Sequence, residues 1–507
     1  MPIPQIARLS GESVSARDAQ AIIDEKITEA AIRELRTQRN IHSPISKLPT
    51  ELLSEIFVLA KLASHTNTRQ GSWLNVACVC RNWRDIAVNE ARMWNTFELM
   101  GMHLDWAKTM LTRSKDASLS IHFFPLRYEP DTVKLVMSQI SRTQDLLICA
   151  DNSRLWEVME IAIAHATPDV PTRLQSLVLC NISPLASESM HRVFTAVQMP
   201  LILDLQLYGI RLPTIPPMPL LRRFYYDQNS FGSESMATLL SSLQNTPCLE
   251  DLDVGCTFDA SAEEMIHYGP VQLPKLKAIS FRTNRFEYFS LLQCIRYPPS
   301  SLVRFKSKRA PVQLADINNV SGIVSRFASS DVAANINSIS LLNEGGPGLR
   351  LTAWISNVPA LDIHCPISER DTLPLFNLCE MLPASKVRTF RINNFASIKR
   401  DNWARVFRRF EQVKDLTVRF GVVALTALLK SSDEDQPPFP QLKQLTLLNC
   451  DFDSREDFAL SVEMLLQECV DLHIPIEVLK IRECKIAGGT VRRLDGLYQL
   501  GRSDLLG

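Results

Sequence analysis

Between Leu48 and Leu99, apolar residues recur at three- and four-residue spacings. Leu52, Leu53, Ile56, Phe57, Leu59 and Ala60 line one broad stripe of a helix that Pro49 opens. Leu74, Val76, Ala77, Val79, Cys80, Trp83, Ile86 and Ala87 predict a second helix, interrupted by the polar Arg81, Asn82, Arg84 and Asp85. The stretch 64–72 between them is polar and carries Gly71, so it reads as a loop that folds one helix onto the other. Upstream, residues 1–14 read as an unstructured tail. Residues 15–40, rich in Ala, Glu, Arg and Ile, predict a helix with Ile23, Ile27, Ala30, Ala31 and Leu35 on one stripe, expected to pack on the segment that follows.

After a further helix over 104–113 the period changes from helical to alternating. Short strand phrases appear at SLSIHF, DLLICA, LQSLVLCNI, ILDLQLYGI, LRRFYYDQN, LEDLDVGCT, LKAISFRTN and LVRFKSK. INSISL, VPALDIHC, VRTFRINNF, VKDLTVRF, LKQLTLLNC and IEVLKIREC follow. From Leu174 to Ile476 their starts lie 19 to 34 residues apart, about 27 on average, which is the period of a repeat. Each unit offers one short strand whose alternate residues point inward, and only stacking the units buries that row. The segments between, such as SESMATLLSSLQN, NWARVFRRFEQ and DFALSVEMLLQECV, show helical spacing after small polar residues. Prolines at 200, 219, 247, 274 and 440 stand where a helix has stopped and a strand has yet to begin. The register is least defined between 302 and 366, and a helix around 491–500 is expected to cap the last unit.

The first segment, LPTELLSEIF followed by VCRNWRDIA and a late Trp94, resembles the F-box. The resemblance implies a three-helix domain over 44–99 that docks on the Skp subunit and, through it, on a cullin-RING ubiquitin ligase. Position by position it carries the docking role to Leu48, Pro49, Leu52, Leu53, Ile56, Phe57, Leu74, Val79, Cys80 and Trp83. One departure is the loop over 64–73, longer than in the minimal motif. So short a unit cannot bury its Leu, Ile, Phe, Val and Trp on every side alone, which independently points to a partner. The units at Leu442 and Ile476 fit L-x-x-L-x-L-x-x-N/C, with Cys450 and Cys484 last; Asn229 and Asn284 take that place in two others. They resemble the divergent leucine-rich repeats found behind F-boxes of the fungal type. The expected fold class is therefore α/β: an F-box followed over 100–500 by a curved solenoid with a parallel sheet.

Composition narrows the function. Fifty-five basic residues balance fifty-five acidic ones among 507, which argues against bulk binding to nucleic acid or to an anionic membrane. No apolar run approaches the roughly 20 residues of a membrane span, and the first twenty residues lack a signal-peptide core, so the protein is expected inside the cell, in cytoplasm or nucleus. Twelve scattered cysteines read as buried free thiols. Neither phosphate-loop pattern occurs, Cys78-x-Cys80 lacks metal-ligand spacing, and His364-Cys365 on a strand would face opposite sides, so no cofactor, metal or catalytic group is expected.

Positions alternating with the buried residues name the surface that would meet a protein substrate. In the first half these are Asp204, Gln206, Tyr208, Arg223, Tyr225, Asp251 and Asp253. Later units offer Arg282, Arg304, Lys306, Lys308, Arg391, Asn393, Arg419, Lys480 and Arg482. Tyr208, Tyr225, Arg282, Arg304, Lys306, Lys308, Arg391, Arg419, Lys480 and Arg482 are the candidate substrate contacts, and the basic stripe suits an acidic or phosphorylated peptide. The expected function is that of a substrate-recognition adaptor and not an enzyme. Two alternatives stand beside it: a repeat scaffold that recruits no ligase, and an enzyme whose site lies among the irregular units near 310–370.

Overall fold

The computed structural model describes residues 16–64, 72–124, 128–166, 172–183, 197–228, 233–259, 270–283, 294–298, 300–307, 333–343, 348–366, 381–393, 400–420, 439–452, 456–471 and 476–503, with isolated positions between them. The expected tail at 1–14 lies outside these residues, as do most of the loop over 64–73 and the positions Asn229, Asn284 and Lys308. The chain divides into two compact units, residues 1–122 with 126–143 and residues 123–125 with 144–507.

In the first unit, helix α1 (Ala16–Ile41) forms where its composition predicts. Its stripe is not buried, however: Ile23, Ile27 and Leu35 stay exposed, so the expected packing by that face is not made. Helix α2 (Thr50–Ser64) begins after Pro49, whose carbonyl accepts from the amides of Leu52 and Leu53, each at 3.1 Å. The second predicted helix is divided. A 3-10 turn, Ser72–Cys78, is followed by α3 (Arg81–Asn89), with Val79 and Cys80 between them. Cys80 is extended, and its Sγ accepts from the Trp83 amide at 3.5 Å, capping the new helix instead of continuing the old one. Helices α4 (Leu104–Ser114) and α5 (Pro130–Met137) complete the unit with two short parallel strands, Thr96–Glu98 and Leu119–Phe123. The core holds Phe57, Met93, Trp94 and Phe97. Trp94 donates from Nε1 to the Ala87 carbonyl at 2.8 Å and meets Trp73 and Trp106 edge-on, so its polar atom is satisfied within apolar surroundings.

The second unit is built on a strand ladder. Thr143–Ala150, Ser176–Asn181, Asp204–Tyr208, Arg223–Asp227, Asp251–Gly255, Ala278–Thr283 and Leu302–Ser307 pair in parallel, each with the next in this order. Two small parallel pairs, Ser233–Ser235 with Thr257–Asp259 and Val271–Gln272 with Ile295–Arg296, lie outside the ladder. Chain order then fails. Leu302–Ser307 pairs with Val358–Pro366, and the ladder returns antiparallel through Gly348–Ile355 to Ser338–Asn343. That strand pairs in parallel with Thr389–Asn393, and sequence order resumes through Asp415–Arg419 and Gln444–Leu448 to Val478–Arg482. Thus INSISL and VPALDIHC are not two successive units; an unforeseen strand between them folds all three into an antiparallel meander.

Alternation explains the strands. Leu205 with Leu207, Phe224 with Tyr226, Phe281 with Phe305 and Val418 with Leu447 are buried, while their neighbours along each strand face the other side. The last three parallel strands share a further feature. Phe420, Asn449 and Glu483 follow them at equivalent positions, all left-handed, with φ of 56°, 52° and 54°. At Cys484 the sulfur donates to the Arg482 carbonyl at 3.2 Å and accepts from the Cys450 amide at 3.3 Å, which links the turns after the last two strands. Helices Met236–Gln244, Arg400–Arg409 and Glu456–Asp471 occupy predicted segments, and the last helix, Gly488–Ser503, is longer than expected. Among the described residues, no helix is long and apolar enough to cross a membrane, and no cluster of three or more His, Cys, Asp or Glu is placed to hold a metal.

Candidate functional site

Helix α2 has two apolar faces where the sequence suggested one. Leu53 and Phe57 turn inward and are 1% and 0% exposed. Leu52, Ile56 and Leu59, spaced at i, i+4 and i+7, lie along the opposite side at 51%, 43% and 62%, with Leu62 at 60% beside them. Val79 and Ile45 are exposed as well. The ten predicted docking residues therefore separate. Leu53 and Phe57 are core; Pro49, Leu52, Ile56 and Val79 are exposed; Leu48, Leu74, Cys80 and Trp83 are half-buried. The Trp83 ring packs on Phe57 with centroids 4.9 Å apart, so it ties α3 to the inward face of α2. Leu59 and Leu62 share the outward face and were not among the ten, although the spacing from Leu52 already contains Leu59.

Polar contacts fix this helix from beneath. Lys61 is buried, and its Nζ donates to the Arg92 carbonyl at 2.8 Å and to Asn95 Oδ1 at 2.9 Å. Burial lowers its pKa to about 8. Ser54 donates to Glu90 Oε2 at 2.7 Å, and Arg92 spans Glu90 and Glu55 at 2.8 and 2.6 Å. The Arg92 guanidinium, chiefly by hydrogen bonding, holds the Glu90 carboxyl at about 2 against the opposing effect of burial, with Ser54 adding to it. Together these contacts set the aliphatic face outward on a fixed support.

In the second unit, strand pairing aligns most of the predicted surface residues in two rows; Asp204, Arg223 and Asp251 form a third beside them, and Asp204, expected at the surface, is buried where Arg223 pairs with it. One row runs Gln206, Tyr225, Asp253, Ser280, Arg304, Asp362, and then through Thr352 and Ser340 to Arg391, Thr417, Thr446 and Lys480. The other, two residues on, carries Tyr208, Asp227, Gly255, Arg282, Lys306, His364, Arg350, Leu342, Asn393, Arg419, Leu448 and Arg482. All candidate substrate contacts except the undescribed Lys308 fall on these rows.

The early end of the rows is a closed polar cluster. Arg282 Nε lies 2.9 Å from Asp253 Oδ1, and its guanidinium sits 4.0 Å above the Tyr225 ring. Tyr225 packs on Tyr208 with ring centroids 4.5 Å apart and planes tilted by 33°, and burial pushes both phenols above their ordinary range. The same desolvation raises the Asp253 carboxyl, while Arg282 opposes it. Arg223 and Asp204 pair at 2.8 Å nearby. Further along, Arg350 Nε and Nη2 grip Asp362 Oδ1 and Oδ2, each at 2.9 Å. Neither member of that pair was foreseen, because the strand that carries Arg350 was not.

A family model described as F-box-like matches residues 45–99, the segment that contains α2, the divided second helix and Trp94. No curated protein matches the chain.

Proposed function

We propose that this protein is a substrate-recognition adaptor of a Skp-cullin-F-box ubiquitin ligase. The outward face of α2 docks on the Skp subunit, and the strand ladder, read as divergent leucine-rich repeats, captures the protein to be ubiquitinated. The observation that carries the reading is the row Leu52, Ile56 and Leu59. Three large aliphatic residues stand in solvent on a helix whose other side is fully packed, within the residues matched as F-box-like. An exposed apolar stripe of this kind marks a surface that another protein covers. The equivalent left-handed turns after the last three parallel strands support the repeat reading.

Ubiquitin transfer takes place on the associated RING and conjugating enzyme; the adaptor contributes proximity. A tethered substrate meets the charged conjugating enzyme at high effective concentration. The test is co-precipitation of the cullin subunit with the full chain from cells, compared with the Leu52→Asp, Ile56→Asp variant. Cullin recovered with the wild type and lost with the variant supports the adaptor. Equal recovery, or none with either, leaves the scaffold reading.

A further inference from the structure

The two rows on the strand ladder differ in charge from one end to the other. At the early end, Asp253 and Asp227 face Arg282, and beside the rows Asp204 faces Arg223, so three carboxylates meet two guanidinium groups and no cation is left over. From strand Leu302–Ser307 to strand Val478–Arg482 the balance is lost. The two rows there hold a single carboxylate, Asp362, and Arg350 occupies both of its oxygens; in the third row beside them Asp415 is the one carboxylate, 3.5 Å from the Thr389 hydroxyl. Arg304, Lys306, Arg391, Arg419, Lys480 and Arg482 remain, three in each row, with no ion pair to any described residue. All but the half-buried Lys480 are exposed. Six like charges on one sheet face repel each other and attract a common counter-charge.

We propose that this stretch of the ladder binds an extended, carboxylate-rich segment of another protein; the inference rests on the reading of the ladder as the client-capturing unit and names the chemistry of the client. The stretch crosses seven strand spacings of about 4.8 Å, roughly 34 Å, which about ten residues of extended chain span. Between the cations lie Thr352, Ser340, Thr417 and Thr446, short hydroxyl side chains that leave room for a backbone to approach. The same rows favour a peptide over single-stranded nucleic acid. Within this stretch they carry no Phe, Tyr or Trp on which bases would stack, and beside them the ring of the exposed Phe420 has the Arg419 guanidinium over it at 5.1 Å. The two tyrosines of the early end already pack on each other, and Arg282 covers Tyr225.

The test uses the full chain and three fluorescein-labelled probes: a decapeptide of alternating Glu and Ser, its Gln and Ser counterpart, and a ten-nucleotide oligouridylate. By fluorescence anisotropy, the Glu peptide binds at least tenfold tighter than the Gln peptide and weakens as salt is raised. Arg391→Glu with Arg419→Glu weakens it at least tenfold, and the milder Arg391→Gln with Arg419→Gln weakens it less, each at an unchanged melting temperature. Arg296→Glu, outside both rows, leaves it within twofold. Equal binding of the Glu peptide by the wild type and the charge-reversed variant overturns the inference, as does tighter binding of the oligouridylate. A wild type that binds the Glu peptide but no Skp subunit overturns the adaptor reading alone.

Discussion

Replacing Leu52, Ile56 and Leu59 together by alanine separates docking from folding. Each side chain is roughly half exposed in the free protein, at 51%, 43% and 62%. Complete burial of a Leu or Ile side chain contributes about 1.5–3 kcal/mol, so covering the exposed half contributes about 1 kcal/mol each. The triple variant thus loses about 3 kcal/mol of docking free energy, on the order of 150-fold in Kd. Its own stability changes by less than about 0.5 kcal/mol, because no core contact is removed and alanine favours the helix. Phe57→Ala is the contrasting change. It removes a fully buried ring that packs on Trp83 and costs about 3–5 kcal/mol of stability. Leu53→Ala belongs with Phe57→Ala, since Leu53 lies in the core. Calorimetric titration with purified Skp subunit, beside thermal melts of each variant, measures both quantities. A triple variant that binds within threefold of wild type, with its melt unchanged, refutes the assignment of that face.

Three further outcomes follow from the same contacts. Lys61 titrates near 8 when folded and near 10.5 when unfolded, so stability carries the full cost of the buried charge below pH 8 and rises between pH 8 and 10.5. That rise, about 3 kcal/mol over the whole interval and about 2 kcal/mol between pH 7.5 and 9.5, is absent from Lys61→Met in urea unfolding at those two pH values. Glu90, held near 2, contributes stability above its unfolded value of about 4.5 and loses it as pH falls toward 2. Glu90→Gln therefore destabilises by about 1–2 kcal/mol at pH 7 and by little at pH 2, as urea titrations at the two pH values will record. In the second unit, Gly209 has φ +63°, and a Cβ there would run into the Asn181 carbonyl oxygen, so Gly209→Ala costs about 2–4 kcal/mol by scanning calorimetry. Gly101→Ala, equally left-handed but unobstructed, costs about 1 kcal/mol.

Elements governed by local periodicity were legible before the structure; those governed by caps and by distant pairing were not. Leu416 and Val418, or Leu445 and Leu447, announce strands because burial on one side leaves an alternation in the sequence. The break at Cys80 leaves none, because a thiol that accepts from the Trp83 amide has the same apolar signature as one inside a helix. Lys61 escaped notice for the opposite reason: its charge reads as surface, yet the carbonyl of Arg92 and the amide of Asn95 receive it in the interior. The strand Gly348–Ile355 lies beside a glycine-rich stretch that reads as a loop, and its pairing reverses the order of its neighbours. Arg350 and Asp362, twelve residues apart in sequence, meet only through that reversal. The two faces of α2 are a further limit. Spacing placed Leu52 and Leu53 on one broad stripe, and only the packed partner, Trp83 against Phe57, decides which side is inward.

Hydrogen–deuterium exchange of the full chain, with and without purified Skp subunit, tests the adaptor claim most directly. The account predicts slowed exchange across helix Thr50–Ser64 and residues 72–89, with the amides of the strand ladder unchanged. Exchange that stays the same in helix Thr50–Ser64, or protection confined to the strands, would contradict it.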